Sequence, residues 1–137
     1  MATQRTLVLV KPDGVRRGLI GEIVRRFENK GFTVAAMRML TVDEDLAKRH
    51  YEEHVEKPFF PELLAFITSG PTVALAVEGD EAIGVIRDMM GVTDPKKAAP
   101  GTIRGDFGLL TTENLVHGSD SESSARRELD LFFPDLR

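Results

Sequence analysis

Apolar residues in this chain fall into short runs and helical stripes. Thr6 to Val10 is near-continuously apolar, which predicts a buried first strand, and Pro12-Asp13-Gly14 reads as the turn that closes it. Ile20, Ile23, Val24 and Phe27 recur at i, i+3, i+4 and i+7, so one stripe of a helix faces inward. Lys30 and Gly31 supply its stop. Phe32 to Val42 is apolar enough for a second strand.

Thr41-Val42-Asp43-Glu44 has the Ser/Thr-x-x-Glu form of a capping box and predicts a helix opening there, which Pro58 interrupts. Phe60, Leu63, Leu64 and Ile67 mark a further helix stopped by Gly70. Thr72 to Val77 reads as a third strand, and Asp80 to Met90 as a helix with Ile83, Ile86 and Met90 inward. Residues 91–113 show little periodicity, and so long an irregular stretch is usually functional or interfacial. Leu115-Val116 predicts a short fourth strand. The last helix runs from about Glu122 to Phe133, with Ala125, Leu129 and Phe132 inward. This order predicts an α+β sandwich with a mainly antiparallel four-stranded sheet, of the ferredoxin-like βαββαβ type.

Composition narrows the class. A chain of 137 residues is expected to be one domain, 1–137, burying roughly two thirds of its unfolded surface. A net charge of −4 argues against a general nucleic-acid binder, which carries a basic excess or stripe. The absence of cysteine excludes disulfides and thiolate metal sites and suits a reducing compartment. The apolar run at Leu7–Val10 is too short for a signal core or a membrane span. The expectation is a cytoplasmic protein with no membrane contact.

Three constellations could carry chemistry. His50-Tyr51-Glu52-Glu53-His54 matches the inverted zinc motif H-x-x-E-H, which on a helix would put both imidazoles on one face. Nothing in the sequence fixes a third ligand, and a polar face carrying two histidines explains the match more simply. Phosphate recognition is the second. Neither a P-loop nor a dinucleotide fingerprint is present, but Lys11, Arg87 and Arg104 stand at element ends or in the irregular stretch, where arginine's planar fork suits phosphate oxygens. The third is His117, in a turn rich in glycine and hydroxyls, Asn114 to Ser121. With no cysteine available, histidine could serve as a covalent nucleophile. Glu128 in the last helix could hold one ring nitrogen and leave the other free, although spacing alone equally allows a solvated carboxylate paired with arginine.

Five separated blocks now stand in order: Lys11-Pro12-Asp13-Gly14; Lys57-Pro58-Phe59-Phe60-Pro61; Thr68-Ser69-Gly70-Pro71; Pro100 to Phe107; and Asn114-x-x-His117-Gly118-Ser119-Asp120-Ser121. With these the chain resembles nucleoside diphosphate kinases from about Arg5 to Phe133. The resemblance implies transfer of a γ-phosphoryl group from a nucleoside triphosphate to a nucleoside diphosphate, by a ping-pong route through phosphohistidine at His117. It implies that Glu128 and Ser119 orient that histidine. Lys11, Tyr51, Arg87, Thr93 and Arg104 would surround the phosphates, and Asn114 would hold the ribose hydroxyl. Phe59 and Leu63 would clamp the base. Mg2+ would bridge phosphates with no direct protein ligand, Asp120 approaching through water. Tyr51 thereby gains a phosphate-side role, which weakens the metal reading of its motif.

The resemblance also implies that residues 91–113 form a loop that shapes the active site and packs between subunits of a homo-oligomer, a hexamer favoured and a tetramer the alternative. Two departures stand out. Thr111 replaces an apolar residue that some relatives carry near the base, and the chain ends at Arg137 without the longer tail of many relatives. A catalytically silent nucleotide-binding module on the same fold is the alternative, and it would bind nucleotide without forming phosphohistidine.

Overall fold

A computed structural model describes residues 3–136; Met1, Ala2 and Arg137, the outer ends of the expected 1–137 domain, lie outside the described residues. The chain runs β1 (Thr3–Val10), α1 (Pro12–Arg16), α2 (Ile20–Lys30), β2 (Thr33–Leu40), α3 (Glu44–His50), α4 (Phe60–Ile67), β3 (Thr72–Asp80), α5 (Ala82–Met90), α6 (Ile103–Phe107), β4 (Val116–Gly118) and α7 (Glu122–Phe132). The strands form one sheet in the order β2-β3-β1-β4, and every neighbouring pair is antiparallel. This is the ferredoxin-like arrangement expected from the pattern.

The run Leu7-Val8-Leu9-Val10 is fully buried because β1 is central and covered on both faces. Val8 and Val10 join Ile23 and Phe27 of α2 and Ile86 and Met90 of α5 in one core. Leu7 and Leu9 point the other way, to Ala47, Phe60, Ile67 and Phe132. Strand alternation thus divides one sequence run between two cores.

Several expectations are corrected. Pro12-Asp13-Gly14 is not a bare turn but the start of α1, with proline at a first-turn position where its missing N–H costs nothing. Helix α3 is capped by Asp43, whose carboxylate accepts from the Leu46 N–H, and not by Thr41. β3 runs on to Asp80, and α5 begins only at Ala82, after Glu81 in the left-handed region (φ 49°). The irregular stretch contains α6. There an added Cβ on Gly105 would lie 2.0 Å from the Ala99 carbonyl oxygen, so glycine lets the preceding loop close over the helix. In α7 the buried stripe is Ala125, Glu128 and Phe132, with Leu129 only half-buried. The zinc motif is not helical, since α3 ends at His50 with Tyr51 as its cap and turns follow to Phe59.

Candidate active site

β4 pairs with β1 so that His117 lies opposite Leu9. Opposed residues share a face, which carries His117 to the side covered by α3 and α7 while Val116 joins the other core. His117 is therefore not in the turn but on a strand beside the strand buried at the centre of the sheet. From α7 the Glu128 carboxylate reaches it, with Oε1 3.0 Å from His117 Nε2. Ser119, fully buried, donates its hydroxyl to the same Oε1 at 2.6 Å and accepts from the Leu7 N–H at 3.2 Å.

That geometry fixes the imidazole tautomer. A carboxylate oxygen only accepts, so Nε2 must carry the proton and Nδ1 keeps its lone pair. His117's side chain is 22% exposed while Glu128's is 6% exposed, so the imidazole is reachable and the carboxylate that holds it is not. Arg127 stands 3.7 Å from the other carboxylate oxygen of Glu128 and donates to the carbonyls of Arg49 and His50. It thereby ties α7 to the end of α3.

A cavity of about 560 Å³ opens in front of His117. Lys11, Tyr51, Phe59, Leu63, Arg87, Thr93, Arg104, Asn114, Asp120 and Glu128 all line it; Ser119, the other residue that the resemblance implies beside His117, does not, and reaches the site through its bond to Glu128. The cationic wall is braced from the backbone. Arg104 donates to the carbonyls of Asn114 (3.2 Å), Gly91 (2.8 Å) and Val116 (2.7 Å), leaving further N–H groups for a ligand. Arg87 donates to the Gly118 carbonyl at 3.4 Å. Lys11 Nζ donates to Asn114 Oδ1 at 2.9 Å, and the Asn114 amide donates to the Thr93 carbonyl at 2.9 Å.

Burial, helped by the Arg104 charge, pulls the Lys11 ammonium down from its ordinary 10.5 to about 8, against the opposing pull of Asp13. Burial, with Arg87 beside it, pulls Arg104 down to about 10. An anionic ligand beside these clustered cations would favour their charged forms and oppose both shifts. The Tyr51 phenol is pushed up, chiefly by burial and then by Glu128, so it stays a neutral donor.

Three residues take part in ways that the sequence did not point to, His50 having stood only in the zinc motif and Asp13 only in a turn and a family block. His50 is 4% exposed and packs edge-on against His117, ring centroids 4.7 Å apart. Arg127 is the second. Asp13 is the third: its buried carboxylate accepts from the Leu115 N–H at 3.1 Å, holding Leu115 at φ 75° next to Asn114. Burial raises the Asp13 carboxyl above the ordinary carboxylate value. A polar residue just after the first strand was the only signal for Asp13; the other two are brought in by chain-distant packing.

Comparison with known proteins agrees with this geometry. A sequence model of the family described as nucleoside diphosphate kinase matches residues 4–137. The nucleoside diphosphate kinase of Thermobifida fusca is 62% identical over 133 residues, covering 97% of this chain and 98% of that protein. That of Rubrobacter xylanophilus is 64% identical over 130 residues, covering 95% and 98%. Among solved structures, the halophilic nucleoside diphosphate kinase of Halobacterium salinarum in complex with CDP superposes with a TM-score of 0.95 at 52% identity, covering 98% of this chain and 90% of that one. A carboxylate-held histidine facing a cationic cavity, on this fold and with these relatives, leads to one conclusion: the chain belongs to the nucleoside diphosphate kinase family.

Proposed function

We propose that this enzyme moves the γ-phosphoryl group of a nucleoside triphosphate to a nucleoside diphosphate through phosphohistidine at His117 Nδ1. The observation that carries the reading is the contact between His117 Nε2 and Glu128 Oε1, which leaves Nδ1 unprotonated on a ring that lines the cavity. The Nδ1 lone pair forms the N–P bond. The bond from γ-phosphorus to the β–γ bridging oxygen breaks, and its electron pair leaves on the nucleoside diphosphate. In the second half, a terminal oxygen of an incoming diphosphate attacks the same phosphorus, and the N–P electrons return to Nδ1. The imidazole gains positive charge as N–P forms, and the Glu128 carboxylate at 3.0 Å offsets it. Ser119, through its 2.6 Å bond, holds that carboxylate in place.

Phosphoryl transfer leaves the protein mostly positioning and charge neutralisation. Lys11, Arg87 and Arg104 supply charge, and Tyr51 and Thr93 supply hydroxyl donors. Asn114, already bonded to Lys11, holds the sugar. Phe59, 49% exposed at the cavity mouth, stacks on the base with Leu63 beneath. Stacking accepts any base because each has a π-face, so discrimination among nucleotides is small.

Mg2+ keeps several waters and binds through one or two carboxylates plus phosphate oxygens. Asp120 fits that pattern: it lines the cavity, and its carboxyl is held below the ordinary value first by the Ser124 hydroxyl and then by Arg87. Asp120 would hold Mg2+ there, and the ion would supply neutralisation of phosphate charge.

Self-association of identical chains, with a hexamer favoured over a tetramer, is supported by exposed apolar residues in two places. Met37 and Met39 on the edge strand β2 are 57% and 59% exposed, and Val92, Leu109 and Leu110 stand out from the 91–113 segment. A cytoplasmic location suits a cysteine-free chain; among the described residues no helix is long and apolar enough to cross a membrane.

The deciding experiment is incubation with γ-labelled ATP and Mg2+, followed by a GDP chase. Label should appear on the protein, survive alkali but not acid, and leave as GTP, and His117→Ala should take up none. Nucleotide binding without protein-bound label would instead establish the silent binding module.

A further inference from the structure

His50 is a buried polar group with no local explanation. It is 4% exposed, and neither ring nitrogen has a hydrogen-bond partner among the described residues. A buried donor and acceptor left without partners disfavour an imidazole there, so apolar packing alone would be better served by phenylalanine. Its ring meets those of Tyr51, His117 and Phe132 edge-on, and the residue lines the active-site cavity.

One ligand atom each from His50, His117 and Glu128 lies within 4.8 Å of the other two. Two imidazoles and a carboxylate, with an open position toward a cavity, are the ligand set of a tetrahedral Zn2+ site. Zinc bonds of about 2.0–2.2 Å put neighbouring ligand atoms about 3.4 Å apart, within reach of small side-chain rotations from the present arrangement.

We propose that His50, His117 and Glu128 bind a divalent transition ion of the Zn2+ class, and that this ion competes with phosphorylation of His117. The sequence had offered His50 with His54; the fold pairs His50 with His117 instead. Coordination through His117 Nδ1 consumes the lone pair that would attack phosphorus. Coordination through Nε2 displaces the contact with Glu128 and leaves the ring's one proton on Nδ1. Either way no lone pair faces the γ-phosphate. Imidazole nitrogen selects Zn2+ over Mg2+, which prefers oxygen, so the phosphate-bound Mg2+ and the inhibitory ion occupy different ligands in one cavity.

The competition rests on His117 being the nucleophile, whereas the binding does not, so the two are measured apart. The intact protein is dialysed to equilibrium against buffered Zn2+, first unphosphorylated and then after treatment with ATP and Mg2+ and removal of nucleotide. His50→Phe, which keeps the ring and removes the ligand, and His117→Ala are dialysed alongside. The expected result is about one Zn2+ per chain, weakened at least ten-fold in each variant and in the phosphorylated protein. Co2+ substitution should give the visible spectrum of a four-coordinate nitrogen–oxygen site in the unmodified chain. Zn2+ binding unchanged in His50→Phe, or no stoichiometric binding to the unmodified protein, would overturn the site. Zn2+ held equally by the phosphorylated chain would overturn the competition. Should His50→Phe fail to fold, the Co2+ spectrum and His117→Ala still decide the ligands. Failure of the protein to take label from ATP would count against the kinase reading alone.

Discussion

At the scale of single residues, the site depends on charges kept under stress. Lys11 is buried beside Arg104, and its ammonium falls to about 8. Two opposite pH trends follow. The folded chain loses this proton near pH 8, whereas the unfolded chain keeps it to about its ordinary 10.5. Between those values the unfolded state binds more protons, so this group makes stability rise with pH. Phosphate binding needs the charged form, so kcat/KM should fall as pH rises through about 8, a limb that reports the free enzyme. At saturating nucleotide the limb in kcat should move upward, because phosphate favours the ammonium. A kcat/KM profile flat to pH 9.5 would remove Lys11 from phosphate binding.

At the scale of elements, the site is assembled from ends: the start of α1, the C-terminus of α3, β4 and the face of α7. α3 sets where His50 and Tyr51 stand, and its N-cap is Asp43. Asp43→Ala should cost about 1 kcal/mol and lower the melting midpoint by a few degrees. Thr41→Ala should cost much less, since Thr41 caps nothing, and equal losses from the two would return the cap to Thr41. The capping-box spacing pointed to the right helix but the wrong residue. Asp43 and Thr41 both precede acidic side chains, and only the backbone's entry angle separates them. β4 was similarly half legible. Leu115-Val116 announced a strand, yet Leu115 at φ 75° precedes it and His117 lies inside it.

At the scale of the whole molecule, the sheet is covered by helices on both faces but ends at an uncovered edge. β2 presents Met37 and Met39 there. Burying two half-exposed methionines on an unpaired edge favours association with a second copy. Light scattering on the eluted protein should give a mass near six times the 15.2 kDa chain, or four times if the tetramer forms. Met39→Glu should shift that mass toward smaller species, because association would then bury a charge. A monomer at micromolar concentration would refute the oligomer.

Local rules acted on local sequence, and there the sequence was enough. Apolar runs marked β1, β2 and β3, and hydrophobic period marked the longer helices, because burial of one stripe or one face is written in neighbouring residues. The five blocks identified the family because chemistry at a shared site constrains residue types in order. What only the tertiary structure decided is which distant groups meet. Pairing of His117 with Leu9 chose the face of β4, and with it the reach to Glu128. His50, Arg127 and Asp13 act through contacts across long stretches of chain: His50 with the His117 ring at 4.7 Å, Arg127 with the Arg49 carbonyl at 2.9 Å and Asp13 with the Leu115 N–H at 3.1 Å. No periodicity records such contacts. They arise when α3, α7 and the loop before β4 are packed around one buried sheet, and the pKa of Lys11 follows from that packing rather than from the sequence around it.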